Sequence, residues 1–299
     1  MHITISGKLG SGKSTICKLL HAEHGCEVYS TGAIQREVAL QKNVSTLELN
    51  RMSASDLSLD TMIDEAVARI SAQRTDEVMI FDSRMAWKFA QNSFKVFFVV
   101  DPVVAANRVM NAPRGNEERY ADAEEARAQL VARAKLENER FKQIYGVDNF
   151  DYANYDLVLD TSRAAPEALA RTVYEQFRAF SQAAGGEPCV LLSPTSLFPL
   201  RELQGFDFVG MPDELERRRY LAQPITVAVH DGYHYIVEGH RLALAAIRNR
   251  EAFVRVRLAD IDHLPERIAA AGLPSLRTFE AAGLFAYDSC PPFYLSPSL

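Results

Sequence analysis

Residues 7–15 read Gly-Lys-Leu-Gly-Ser-Gly-Lys-Ser-Thr, and no other stretch constrains the fold of this chain as tightly. Gly7, Gly12, Lys13 and Ser14 occupy the four defining positions of the phosphate-binding loop G-x-x-x-x-G-K-[ST]. Such a loop functions only between a strand and a helix, and the flanks supply both. His2–Ser6 is an apolar strand, and Lys13–His24 carries a helical pattern. Glycines at 7, 10 and 12 allow the tight turns that point successive backbone N–H groups inward at phosphate oxygens. The helix that follows adds the positive end of its dipole. Gly7, Gly10, Ser11, Gly12, Lys13, Ser14 and Thr15 therefore form the expected nucleoside triphosphate and Mg²⁺ site. Lys13 reaches the β- and γ-phosphates there, and the Ser14 hydroxyl is offered to the metal.

Strand and helix patterns keep alternating as far as residue 182. A short strand, Glu27–Tyr29, precedes STGAIQREVALQK, which reads as a helix capped near Thr31. Leu57–Gln73 has apolar residues at helical spacing, and Val78–Phe81 is a buried-type strand ending in Asp82. Phe94–Val100, FKVFFVV, is β-branched and aromatic with almost no polar interruption. A charged helix over Ala121–Tyr145, a strand at Tyr155–Leu159 and a closing helix at Pro166–Phe180 complete the series. The alternation implies an α/β fold, a parallel sheet with helices on both faces.

AAGGEP at 183–188 breaks that pattern and reads as a linker, 183–189, between a first domain, 1–182, and a second, 190–299. In the second, Pro224–His230 and Tyr233–Val237 alternate around Asp231-Gly232, a hairpin signal. A helix opens at Gly239, and Phe253–Leu258 is a further strand, so this smaller domain is α+β. The stretch from Ala282, with Pro291, Pro292 and Pro297, is expected to lie extended over a surface.

Composition removes several classes of function. A net charge of −6 argues against a broad nucleic-acid-binding surface. Cys17, Cys26, Cys189 and Cys290 are scattered without a C-x-x-C pair, which suits reduced thiols better than a zinc site or a disulfide framework. No apolar run approaches the roughly 18 residues of a membrane span. The first strand starts at residue 2, where a signal peptide would lie, so a cytoplasmic protein with no membrane partner is expected.

Three groups accompany the loop. Thr31 and Arg36 follow the second strand, at the carboxyl edge of a parallel sheet where ligands bind. Asp82 and Arg84 close an apolar strand; the acid can hold Mg²⁺, partly through water, beside Ser14, and the arginine can reach an anion. Arg133, Glu137 and Arg140 share one helix face by their i, i+4, i+7 spacing, where two arginines flanking a carboxylate could clamp a phosphate and meet a sugar hydroxyl. Taken singly, such a face reads as solvated and salt-bridged. Together the groups supply what phosphoryl transfer needs, arginines converging on developing charge.

On these residues the segment from His2 to about Phe177 resembles the cytidylate kinases, especially their short bacterial-archaeal branch. ITISGKLGSGKSTICKLL is similar to that family's opening, YSTGAIQRE to its acceptor-binding segment, FDSRMAWKF to its strand-end (D/E)GR segment, and YGVDNFDYANYDLVLDTS to its closing strand. R-x-x-x-[DE]-x-x-R recurs as Arg133, Glu137 and Arg140. The resemblance implies a nucleoside monophosphate kinase fold and transfer of the γ-phosphoryl of ATP to CMP or dCMP. Lys13, Asp82, Arg84, Arg133 and Arg140 would be catalytic, and Thr31, Arg36, Arg84, Arg133, Glu137 and Arg140 would bind the acceptor. Arg108, Arg114 and Arg119 fall where a lid would close over ATP. Ser30, Gln35 and Met85 depart from the family pattern, and these departures bear on acceptor and base recognition.

From about Val190 the chain resembles the ParB/sulfiredoxin-like fold, through LLSPTSLFPLREL and PITVAVHDGYHYIVEGHRLALAAIRNREAFVRVRL. Glu238, Gly239, His240 and Arg241 then form a second phosphate loop at a helix N-terminus. That resemblance implies a possible second nucleotide in this domain, whether bound or processed. Two alternatives stand beside the kinase reading. One is a non-catalytic nucleotide-sensing regulator; the other is a serine-kinase-like activity in the C-terminal domain with Glu238 as base.

Overall fold

A computed structural model of the chain describes residues 1–31, 58–111, 120–183, 188–201 and 222–281. The chain divides into two compact units, Met1–Pro188 and Cys189–Leu299.

Among the described residues, the first unit is built on five parallel strands: β1 (His2–Gly7), β2 (Glu27–Ser30), β3 (Met79–Asp82), β4 (Ser93–Val99) and β5 (Leu157–Asp160). Their order is β2-β3-β1-β4-β5. β1 lies between β3 and β4, with Ile5 opposite Asp82 on one side and Gly7 opposite Phe98 on the other. The chain leaves β1 toward β2 and leaves β3 toward β4, so these adjacent strands send their connections in opposite directions. That is the switch point at which an open α/β sheet makes its ligand crevice. Phosphate loop and Asp82 both sit at it.

Among the described residues, the helices of this unit are α1 (Lys13–His24), α2 (Ser58–Gln73), α3 (Ala86–Phe89), α4 (Pro102–Asn111), α5 (Ala123–Tyr145), a 3₁₀ turn (Tyr152–Asn154) and α6 (Pro166–Gln182). Both faces of the sheet are covered. On β4, Phe94 packs against Phe177 and Phe180 of α6, while Phe97, on the opposite face, packs against Phe150, Tyr152 and Tyr155. Burial of rings of this size on both faces supplies most of the driving force for the layer. The long charged pattern ends where its caps dictate. Asp122 accepts from the Glu125 N–H at 2.8 Å, Glu125 accepts from the Ala121 N–H at 2.6 Å, and Gly146 closes α5 in the left-handed conformation. His2 is a buried polar residue in a strand, and its ring explains itself: Nε2 donates to the Ser71 carbonyl at 2.9 Å and Nδ1 accepts from the Met79 N–H at 3.4 Å.

The second unit holds β6 (Cys189–Leu192), β7 (Leu197–Pro199), β8 (Ile225–His230), β9 (Tyr233–Glu238) and β10 (Val254–Leu258), in the order β6-β10-β8-β9-β7. The pairing is mixed: β6/β10 and β8/β9 are antiparallel, β10/β8 and β9/β7 parallel. Asp231 and Gly232 both take positive φ, the conformation a two-residue hairpin turn requires. Its described helices are α7 (His240–Arg248), α8 (Leu264–Ala271) and α9 (Leu276–Ala281). β6 begins at Cys189, inside the segment expected as linker, because Val190 and Leu192 have β10 to bury against.

Candidate active site

The phosphate loop is shaped by what lies behind it. Gly7, at φ +141°, approaches the backbone of Phe98 so closely that a Cβ there would meet the Phe98 oxygen at 2.5 Å. A Cβ on Gly10, at φ +76°, would meet Ala105 of α4 at 2.8 Å. Gly12, the cap of α1, needs only its left-handed φ of +83°. The loop is thus braced by β4 and α4, which leaves its inner surface for a ligand. Lys13 Nζ donates to the carbonyls of Gly7 and Lys8, at 3.0 and 3.3 Å. Ser11 Oγ is buried with no hydrogen-bond partner. Thr15 is exposed, the third residue of α1.

Asp82 is buried at the end of β3 and collects hydroxyls from two elements. Its Oδ2 accepts from Ser14 at 3.4 Å and from Ser30 at 3.3 Å, and its carbonyl accepts from Thr31 Oγ1 at 3.3 Å. Ser14 and Asp82 therefore form a pair of hard oxygen donors beside the loop, the chemistry a divalent cation prefers. Asp82 also adds its charge to burial in pushing the Cys17 thiol up, so Cys17 is an inert core thiol.

An arginine-rich side begins two residues on, at Arg84. Ser6 Oγ donates to the Arg84 carbonyl at 3.0 Å, tying the end of β1 to the start of α3. Arg84 and Arg133 both pair with Oε1 of Glu137, the latter at 3.2 Å. Arg140 does not join them; it pairs with Asp60 of α2. Its Nε is buried and has no hydrogen-bond partner, and burial works against its charge. Asp60 was not singled out in the sequence, although it stands on an amphipathic helix one turn before Asp64. Asp64 in turn accepts from the Tyr145 hydroxyl at 2.5 Å, and desolvation pushes its pKa up to about 6.

Arg108 sits in α4 as a brace. Its guanidinium donates to the Gly10 carbonyl at 3.4 Å and to the Thr161 carbonyl at 2.6 Å, tying the phosphate loop to the end of β5. Lys8 lies in the same region, its pKa lowered by burial against the pull of Asp160 and Asp101. Arg36, Arg114 and Arg119 lie outside the described residues, as does most of the helix expected from Thr31. In the second unit Gly239 adopts φ +95° at the N-terminus of α7, with Glu238 and Arg241 exposed on either side. His240 is buried, and its Nε2 accepts from the Leu200 N–H at 3.3 Å.

With this geometry in hand, comparison with known proteins is decisive for the first unit. The cytidylate kinase-like family model matches residues 2–163. The chain belongs to the cytidylate kinase-like family. It is 32% identical over 171 residues to a cytidylate kinase of Sulfolobus acidocaldarius, across 57% of this chain and 90% of that one. It is 29% identical over 168 residues to the cytidylate kinase of Methanothermobacter thermautotrophicus, across 56% of this chain and 99% of that one. Among solved structures, an uncharacterized protein from Eubacterium ventriosum aligns with a TM-score of 0.46 at 17% identity, over 60% of this chain and 99% of its own. This cytidylate kinase-like chain is an enzyme of the nucleoside monophosphate kinase class.

Proposed function

We propose that the protein transfers the γ-phosphoryl group of ATP to CMP or dCMP, assisted by Mg²⁺. The observation that carries this reading is Arg140: a guanidinium with a buried, unpartnered Nε, on the helix whose Glu137 gathers Arg84 and Arg133. Buried polar groups without partners are rare enough to call for an explanation, and an absent anionic ligand is one. The phosphate monoester of a nucleotide would bring an acceptor oxygen to Arg140 Nε and would compete with Glu137 for Arg84 and Arg133.

Ser11 Oγ, also buried and unpartnered, supports a triphosphate in the loop, and the Ser14–Asp82 pair supports a divalent cation beside it. Mg²⁺, when bound, supplies charge neutralisation between the phosphate oxygens. Lys13 then exchanges its bonds to the Gly7 and Lys8 carbonyls for phosphate oxygens. Arg84, Arg133 and Arg140 orient the acceptor phosphate, whose oxygen is already anionic, so no general base is required. Rate comes from alignment and from fixed positive charge.

The test is turnover with ATP, Mg²⁺ and a panel of nucleoside monophosphates, followed by ADP release and product identification. CMP and dCMP are expected to be the fastest acceptors, and Lys13→Ala to lower turnover by about 10²–10³-fold, the size of one lost preorganised donor. Equal rates with UMP and AMP would remove the cytosine preference. Nucleotide binding without turnover of any acceptor would favour a sensing protein and overturn the kinase reading.

A second reading concerns residues 190–299, whose resemblance to the ParB/sulfiredoxin-like fold would imply a nucleotide or phosphate ligand at Glu238, Gly239, His240 and Arg241. One observation favours it. Gly239 opens α7 in the left-handed conformation with Arg241 exposed beside it, while burial, with the nearby Arg201 cation, lowers the His240 pKa to about 4 and keeps that imidazole neutral. Turnover that survives Lys13→Ala but not Glu238→Ala would assign chemistry to this unit.

A further inference from the structure

Arg84 and Glu137 come from different elements, yet their charged ends must meet to build the acceptor side. Between them lies a buried hydrogen-bond cluster centred on one side chain, Asn149, in the loop between α5 and β5. Its Oδ1 accepts from Trp87 Nε1 at 2.7 Å and from the Tyr155 hydroxyl at 2.8 Å. Its backbone N–H donates to Asn138 Oδ1 at 2.8 Å. Trp87 is in α3, three residues past Arg84; Asn138 is in α5, next to Glu137. Asn138 Nδ2 donates to Asp148 Oδ1 at 2.8 Å, and Lys142 pairs with Asp148 at 2.6 Å, which anchors the loop to the end of α5. Trp87, Asn138, Asn149 and Tyr155 are all more than nine-tenths buried.

We propose that Asn149 is a positioning residue for the acceptor site: it holds the segment that carries Arg84 at a fixed offset from the helix that carries Arg133, Glu137 and Arg140. The proposal rests on the reading of those arginines as acceptor-phosphate ligands. Its physical basis is twofold. A satisfied polar cluster in a low-dielectric interior is stiff, because each bond polarises the next. Removing the shared acceptor strands the buried indole N–H, while the Tyr155 hydroxyl still reaches the Asn149 carbonyl at 2.9 Å, and the cheapest relief is for α3 to move away from the loop. Arg84 would move with it. Alignment of reacting groups is sensitive on that scale, since a misplacement of about 1 Å can cost about 10²-fold in rate.

Trp87 is the single tryptophan of the chain, which makes the cluster directly visible. In ¹⁵N-labelled full-length protein its indole N–H gives one resonance. CMP is expected to shift that resonance, and ATP alone to leave it nearly in place. In Asn149→Leu the resonance should lose its hydrogen-bond shift and exchange faster with solvent. The KM for CMP should rise about ten- to a hundredfold, with the KM for ATP within about twofold of wild type on the same alignment argument. Asn149→Asp, which keeps an acceptor oxygen at the same reach, should recover most of the loss. Trp87→Phe removes one donor without stranding an acceptor in a strained shell, so it reads the same effect, in smaller degree, if the leucine variant does not fold. A folded Asn149→Leu or Trp87→Phe protein with unchanged CMP KM, or with both KM values raised in parallel, would overturn the proposal. Wild-type protein that phosphorylates no nucleoside monophosphate would instead overturn the kinase reading on which it stands.

Discussion

Single residues carry the site in two different ways, through space withheld and through charge left incomplete. Gly10 illustrates the first: its left-handed φ and its contact distance to Ala105 both exclude a side chain. Gly10→Ala should therefore destabilise the protein by about 1–3 kcal/mol through overpacking alone, measured by urea unfolding, and should weaken ATP binding in protein that still folds. Gly12 has open space around its Cβ position, so its requirement is conformational and milder. Arg140 illustrates the second. Arg140→Ala deletes charge-assisted bonds worth about 1.5–3 kcal/mol each. Steady-state kinetics should show the CMP KM raised about tenfold or more, with the ATP KM nearly unchanged.

At the scale of elements, α2 and α5 form a coupled pair. Asp60 meets Arg140 and Asp64 meets Tyr145, so two bonds one helical turn apart join the same helices. Burial raises the Asp64 pKa to about 6 from its ordinary 3.8, which means the folded state holds a proton that the unfolded chain releases. Folding stability from this group is therefore greatest at low pH and falls as pH rises through the window between about 4 and 6. Asp64→Asn keeps an acceptor for Tyr145 and removes the charge. Relative to wild type it should gain stability on the order of 2 kcal/mol between pH 4 and pH 7. Paired denaturation curves across that range measure the gain, and parallel curves with no pH-dependent difference would contradict the assignment. The i, i+4, i+7 spacing on α5 predicted one shared face for Arg133, Glu137 and Arg140. Within that face the structure separates the roles, since Glu137 bridges toward α3 while Arg140 turns toward α2.

For the whole molecule, the family match ends at residue 163 and the first compact unit at Pro188. The archaeal cytidylate kinases are matched over 90% and 99% of their lengths by 57% and 56% of this chain. A protein of residues 1–188 is accordingly expected to fold and to phosphorylate CMP at a rate within about tenfold of the full chain, an allowance of about 1.4 kcal/mol in barrier. Loss of activity in a fragment with a cooperative thermal transition would show that the second unit contributes to catalysis.

Strands, helices and the phosphate loop were readable because their signals are local. The period of apolar residues and the glycine spacing at 7, 10 and 12 both act within a few bonds along the chain. The arginines at 84, 133 and 140 were legible as residue types suited to phosphate, though not in their pairings. Asp60, Asp64, Trp87, Asn138 and Asn149 gave little sign in the sequence. Each acquires its role from a partner 10 to 81 positions away, such as Asn149 across from Trp87 or Asp64 across from Tyr145. By itself the sequence determined a parallel α/β core with a triphosphate loop at its first strand, because backbone geometry and apolar periodicity are set by neighbours along the chain. Only the tertiary structure decided which carboxylate holds which arginine, and which buried asparagine holds the helices that carry them. Those contacts form only when folding closes long loops and removes the groups from water, where an unpaired donor becomes costly and a distant partner becomes specific.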